Sequence, residues 1–181
     1  AVRRVEPGAL DALLHHQVDP KAAKDVLAKG LPAAPGAAAG EIVFKADDAA
    51  EAGKEGRKTI LVRVETSPED IHGMHAAEGI LTARGGATSH AAVVGRGMGK
   101  PCIVGCTEVT VDYARQMFYA GDTVVRRLDW ITIDGGTGEV FEGRVPTLAP
   151  RPRGAAQVLA DWWVPPRCHR GDGAHLHSAP P

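Results

Sequence analysis

The residues with the clearest capacity for chemistry lie in the stretch ARGGATSHAAVVGRGMGKP, where one imidazole, His90, follows a double glycine and two hydroxyl residues. Gly85 and Gly86 permit a tight loop whose amides approach an anion, and Thr88 or Ser89 can cap a helix that holds His90 in its first turn. The positive end of that helix favours bound anions and disfavours a charged imidazolium. We therefore predict that His90 is a nucleophile for phosphoryl groups, with Gly85, Gly86, Thr88 and Ser89 supporting the phosphate.

Residue types alone leave a plainer role open for this histidine. A helix start with glycines is a weak motif, and such a histidine also serves as a surface or capping residue. Elsewhere, Cys102 and Cys106 are predicted to be buried reduced thiols. The His and Cys residues of the tail match no common zinc spacing, so no metal site is predicted there; they are Cys168, His169, His175 and His177.

The elements that must position His90 follow from hydrophobic patterns. TILVRV, GILTA and PCIVG are rich in β-branched or apolar residues and predict short strands, the first at residues 59–64. SPEDIHGM predicts a helix start, with Ser67 as N-cap and Pro68 at the first helical position. DDAAEAGKEG predicts a solvated helix, and WITI and EVFEG predict a hairpin. These elements indicate a mixed α/β body.

Composition divides the chain into three parts. Residues 1–29 predict a helical connector of two short helices, residues 30–145 the main domain, and residues 146–181 a Pro-rich linker or tail without a packed element. The shift to Pro, Arg and His beyond Asp161 leads us to expect a change of reading frame or an artificial end there.

The net charge of −1, with scattered Lys and Arg, argues against nucleic acid as a partner. No apolar run approaches the roughly 18 residues needed to span a bilayer, and no signal peptide is recognisable, so a membrane partner is not expected. We expect a soluble cytoplasmic protein.

The stretch GGATSHAAVVGRGMGKP resembles the phosphohistidine signature of the phosphoenolpyruvate-utilising (PEP-utilising) enzymes. LVRVETSPEDIHGMHAAEGILTARGG is similar to the dikinases of that family, and the similarity continues through GLPAAPGAAAGEIVF and ITIDGGTGEVFEG. The resemblance covers most of residues 8–148. The resemblance implies an α/β fold, a swivelling β/β/α phosphohistidine domain with a short N-terminal helical connector and an irregular C-terminal tail.

By the same resemblance, His90 carries a phosphoryl group between two active sites. A dikinase of this family converts ATP, phosphate and pyruvate into AMP, pyrophosphate and phosphoenolpyruvate. The implied partners are an ATP-grasp nucleotide domain and a TIM barrel for pyruvate and phosphoenolpyruvate, neither recognisable in these 181 residues. The chain itself needs no cofactor, Mg²⁺ is expected for the full enzyme, and the chain alone is expected to be inactive. Thr88 corresponds to a position that a regulatory kinase/phosphorylase modifies.

Several alternatives stay open. The domain could belong to a phosphoenolpyruvate synthase or to the first enzyme of the sugar phosphotransferase system, although ETSPEDIHGM favours a dikinase. A non-catalytic remnant is a further alternative. Ala87 and Gly95 depart from the methionine and alanine usual in the family, predicting looser packing under the loop and a helix weaker by roughly 1 kcal/mol. Arg63 and Arg96 either contact the phosphoryl group or a partner domain, or form surface ion pairs.

Overall fold

The computed structural model describes residues 15–19 and 25–149. Some sequence predictions therefore lie outside the described residues. They are the helices predicted within residues 1–14 and 20–24, the tail from residue 150 with the change at Asp161, and the Cys168, His169, His175 and His177 group.

Parallel strands alternating with helices build the centre of the fold. Strands β4 to β7 lie side by side and run parallel, each joined to the next through one helical segment. The helices are α1 Ala46–Lys54, α2 Ile71–Ala76, entered through a 3₁₀ helix at Pro68–Asp70, and α3 His90–Met98. All four strands are rich in buried apolar residues, as expected for strands covered on both faces.

Antiparallel strands extend this centre into an eight-stranded sheet of order β2-β12-β11-β4-β5-β6-β7-β3. Strands β8 to β10 form a separate three-stranded sheet, and β1 pairs with β13 as a two-stranded ribbon. The strands in chain order are β1 Gln17–Val18, β2 Val26–Lys29, β3 Leu31–Ala34, β4 Ala37–Val43, β5 Thr59–Arg63, β6 Gly79–Thr82, β7 Cys102–Val104, β8 Val109–Asp112, β9 Met117–Ala120, β10 Thr123–Arg126, β11 Trp130–Asp134, β12 Glu139–Glu142 and β13 Thr147–Leu148.

Two apolar cores lie on the two faces of the large sheet. On one face, Ile42, Ile60 and Leu81 pack against Phe118 and Val125 of the small sheet. The other face packs against the helices through side chains that include Val43, Leu61, Ala49, Met74 and Ala92. The layers are therefore small sheet, large sheet and helices, which confirms the predicted α/β class and its β/β/α arrangement.

The predicted N-terminal helical connector is wrong where the structure describes it. Residues 26–29 form strand β2, which pairs with β12 at the edge of the large sheet, and Gln17–Val18 is also a strand. Val26, Leu27 and Ala28 fit either a helical or an extended period, and the open edge of β12 favours the strand. The sheet therefore includes residues outside the range 30–145 predicted for the domain.

No helix in the described part of the chain has the length and apolar character needed to cross a bilayer.

Candidate functional site

The candidate site lies at the carboxyl ends of β5 and β6. These strands are parallel neighbours with Arg63 opposite Thr82, so the loops that follow them emerge side by side. The amides of Ala83 and Arg84 donate to the carbonyl oxygens of Arg63 and Val64, at 3.0 and 2.9 Å. These bonds join the loop before α3 to the loop before the 3₁₀ helix.

Gly85 allows the sharp turn between β6 and α3. Its φ of +111° is a conformation that residues with a Cβ rarely adopt. A Cβ at this position would also lie 3.0 Å from both Cβ and Oγ of Ser89. Gly86 differs, because its φ is not positive and a Cβ there would meet nothing within 4 Å. Only the first glycine of the pair is required by the backbone.

Ser89 caps the helix that carries the histidine, as one of the two predicted alternatives. Its Oγ accepts from the amide of Ala92 at 3.4 Å, and α3 begins at His90. The helix ends at Met98, and its C-cap, Gly99, has a left-handed conformation with φ of 64°. His90 thus occupies the first turn, where helix geometry leaves backbone amides without intrahelical acceptors.

The two loops meet through the histidine ring. Nδ1 of His90 lies 3.1 Å from Oγ1 of Thr66, and the ring is half-buried. No other hydrogen bond of the ring occurs among the described residues, so Nε2 has no described protein partner. The Thr66 hydroxyl can donate to an unprotonated Nδ1 or accept from Nδ1–H, and Nε2 carries the lone pair in the second arrangement.

Thr66 is the side chain at the candidate site that sequence reasoning missed. The signal was weak, because it consisted of one hydroxyl in the loop after β5, 24 residues before His90. Only the parallel pairing of β5 with β6 brings that loop to the histidine.

The two arginines left open by the sequence lie in structural contacts. Arg63 forms an ion pair with Asp70, 3.3 Å between Nη2 and Oδ2, and stacks over the ring of Tyr113 at 5.3 Å from its centroid. Arg96 donates through Nε to the carbonyl of Ala92 at 3.0 Å and through Nη2 to the carbonyl of Ala87. Arg96 therefore links the glycine loop to its own helix.

Ala87 and Thr88 are both exposed. The side chain of Ala87 lies at the surface, and the looser packing expected from alanine in place of methionine stays a prediction. Thr88 has no hydrogen-bond partner among the described residues, and its hydroxyl is open to solvent.

Gly95 lies where α3 packs on β7. A Cβ there would come 2.9 Å from Cβ of Cys102, so alanine does not fit without a shift of the strand or the helix. The prediction that glycine weakens the helix relative to alanine is therefore incomplete. At this position alanine would gain helix propensity but would also be packed too closely against Cys102.

Cys102 and Cys106 are both buried free thiols, as predicted. Burial raises the pKa of Cys102 to about 12 and, together with the charge of Glu108, the pKa of Cys106 to about 11. Neither thiol has the thiolate character that nucleophilic chemistry needs near neutral pH.

His72 has its own hydrogen-bond partners, and His90 is not among them. His72 is exposed and bonds to Asp47 and to the carbonyl of Glu69, both at 2.9 Å. Within the described ranges, no three His, Cys, Asp or Glu side chains are placed to hold a metal ion. A cavity of about 470 Å³ lies between the sheet and the β1–β13 ribbon, lined by Trp130, Arg144 and Lys58 among others, and does not include His90.

Comparison with known proteins relates this geometry to one family. Residues 55–138 match the family described as PEP-utilising enzyme, mobile domain. The chain is 57% identical to a pyruvate, phosphate dikinase of Rhizobium meliloti, over 90% of this chain and 18% of that protein. A chloroplastic pyruvate, phosphate dikinase of Mesembryanthemum crystallinum is 52% identical over 90% of this chain and 17% of its own length. Pyruvate, phosphate dikinase 2 of Zea mays is 51% identical, with 90% and 19% covered.

The chain spans between 17% and 19% of the length of these dikinases. The family match includes both loops of the candidate site and the whole of α3. The chain is therefore similar to pyruvate, phosphate dikinases over 90% of its length, and residues 55–138, which hold the candidate site, match the mobile domain of the PEP-utilising enzymes.

Proposed function

We propose that this chain is the phosphoryl carrier of a pyruvate, phosphate dikinase and that Nε2 of His90 forms the phosphohistidine. The observation that carries the proposal is the contact of Nδ1 with Thr66 at 3.1 Å, which leaves Nε2 free of described protein partners in the first turn of α3. The similarity to dikinases over 90% of the chain supports the same reaction.

The chemistry needs only a lone pair and a site for the phosphate. With the proton on Nδ1 and directed to Thr66, Nε2 attacks phosphorus, the N–P bond forms, and the bond from phosphorus to the donor breaks. The amides of the first turn and the Thr88 and Ser89 hydroxyls are the groups available to the new phosphate, with the Gly85–Gly86 loop beside them. Transfer to an acceptor reverses these steps.

The partners of the carrier are an ATP-grasp nucleotide domain and a TIM barrel that binds pyruvate and phosphoenolpyruvate. Together they convert ATP, phosphate and pyruvate into AMP, pyrophosphate and phosphoenolpyruvate. Mg²⁺ acts with those domains, and no step assigned to this chain uses it. The carrier has no turnover alone and acts in the cytoplasm. The exposed Thr88 hydroxyl is the site for a regulatory kinase/phosphorylase, whose phosphate would repel a second phosphate at His90.

Phosphorylation of the isolated chain tests the nucleophile. Phosphoramidate donates a phosphoryl group to histidine without an enzyme, releasing ammonia. We expect one acid-labile, base-stable phosphoryl group, located on His90 by peptide mass spectrometry and lost in His90→Gln. The matched control is His75→Gln, because His75 is an exposed histidine outside the site. Labelling that persists in His90→Gln at the wild-type level refutes the assignment.

A second experiment separates the dikinase from a phosphoenolpyruvate synthase, a phosphotransferase-system enzyme and a remnant. The chain is mixed with the two partner domains of a dikinase, ATP, pyruvate and labelled phosphate. Pyrophosphate carrying the label, dependent on His90, is expected of a dikinase carrier. Phosphohistidine without labelled pyrophosphate indicates another PEP-utilising enzyme, and a folded chain that takes no phosphoryl group is a remnant.

A further inference from the structure

A buried carboxylate holds the loop that carries Thr66. Oδ2 of Asp70 accepts from the amide of Ser67 at 2.9 Å and from its hydroxyl at 3.3 Å. The same oxygen lies 3.3 Å from Nη2 of Arg63, and the Asp70 side chain is 9% exposed. One carboxylate oxygen therefore fixes the backbone on the C-terminal side of Thr66 and ties it to the end of β5.

The other side of Thr66 is also fixed. The amide of Val64 donates to the Tyr113 hydroxyl at 2.8 Å, and the carbonyl of Val64 accepts from Arg84. Tyr113 also lies beneath the guanidinium of Arg63, so the same arginine connects both anchors. Thr66 thus lies between two anchored positions, and its hydroxyl reaches across to the histidine.

We propose that Asp70 is a positioning residue for His90, acting through the Ser67 and Arg63 contacts to hold the Thr66 hydroxyl at Nδ1. This rests on the proposed function, in which Nδ1–H donates to the Thr66 hydroxyl and Nε2 keeps the lone pair. Asp70 touches neither the ring nor the phosphate site in the described contacts. Its effect is therefore on the tautomer of the ring and on the rate that depends on it.

The charge of Asp70 matters as well as its shape. An asparagine places an amide oxygen where Oδ2 accepts from Ser67, but it leaves Arg63 half-buried without its counter-charge. Arg63 already has one buried atom, Nε, without a hydrogen-bond partner. We expect Asp70→Asn to fold with a looser loop.

The test measures the tautomer of His90 in the 181-residue chain by ¹⁵N NMR of the imidazole nitrogens, with His90→Gln to assign the signals. Loss of one hydrogen bond of ordinary strength changes a tautomer ratio by about fivefold. We expect Thr66→Val to reduce the Nδ1–H form by about this factor and Asp70→Asn by a smaller factor. Thr66→Ser, which retains the hydroxyl, should stay near wild type. Phosphoramidate labelling rates should follow the same order.

The matched control is Glu69→Gln, the same change of carboxylate to amide at an exposed neighbour in the same 3₁₀ helix. It should leave the ratio unchanged. In the Thr66→Val background, Asp70→Asn should have no further effect, because its route to the ring is gone. A wild-type ratio in Asp70→Asn, or a full additional effect in the double variant, overturns the proposal.

A milder variant is needed for the case in which Asp70→Asn does not fold. Ser67→Ala removes one bond to Asp70 and keeps the carboxylate and its ion pair, and it should shift the ratio in the same direction by less. An unchanged ratio in Ser67→Ala, if Asp70→Asn does not fold, also overturns the proposal. Because the tautomer is measured without phosphate, the result does not depend on whether His90 can be phosphorylated. If the wild-type chain takes no label, the proposed function is refuted, but the effect of Asp70 on the tautomer of His90 can still be measured.

Discussion

The double glycine before the histidine allows a sharp comparison of two neighbouring substitutions. Gly85→Ala forces a Cβ into a backbone with φ of +111° and brings it 3.0 Å from Ser89. Strain of this kind costs about 1–3 kcal/mol of the free energy of unfolding. Gly86→Ala meets no atom within 4 Å, and an allowed alanine stabilises by about 0.4–1 kcal/mol through the unfolded chain. The two variants should therefore differ by about 3 kcal/mol.

Urea unfolding and thermal unfolding, both followed by circular dichroism, measure the two changes on the same chain. For a chain of this size, a difference of about 3 kcal/mol corresponds to roughly 6–12 °C in Tm. Because Ser89 caps α3 one residue before His90, Gly85→Ala should also slow phosphoramidate labelling, whereas Gly86→Ala should not. Equal stability of the two variants, or a greater loss of stability in Gly86→Ala, would contradict this geometry of the loop.

Three further predictions concern the packing around the site. Gly95→Ala gains about 1 kcal/mol of helix propensity but overpacks Cys102 at a cost of about 1–3 kcal/mol, so the free energy of unfolding should fall; Gly97→Ala in the same helix, with open space, should raise it. Thr132→Val removes both hydrogen bonds of a buried hydroxyl to the segment before β13, and urea titration should show a loss of about 2 kcal/mol. Burial raises the pKa of Cys102 and Cys106 above the ordinary value of 9.0, to about 12 and about 11. The stability that each thiol contributes is therefore complete below pH 9.0 and lost as pH rises towards the folded values, and Cys106→Ala should make the alkaline fall in urea midpoint shallower.

Sequence patterns predict the elements that have strong local signals. The run TILVRV becomes β5, and Ser67 and Pro68 do begin a helical segment before α2. His90 in a first turn capped by Ser89 follows from hydroxyl and glycine chemistry alone. These features depend on neighbours in the chain, which is why local rules are sufficient for them.

Features set by distant pairing are harder to predict. The sequence of Val26–Lys29 fits a helical pattern, and only its pairing with the edge strand β12 makes it a strand. Strands β8 and β9 are short, and their pairing partners decide their conformation. The Thr66 contact depends on the register that places Arg63 opposite Thr82. The role of Asp70 is hidden for a related reason, because an acid in a first turn suggests only a favourable helix dipole.

The pairing of Gln17–Val18 with Thr147–Leu148 has a mechanical consequence. The first and last described strands lie side by side, next to Ala37 at the start of β4, whose amide donates to the carbonyl of His16. The strand registers place the end of β6 eight residue levels further along, which is roughly 26 Å at the usual rise. A rotation of about 10° about this ribbon would therefore displace the end of β6, from which the histidine loop leaves, by about 4–5 Å.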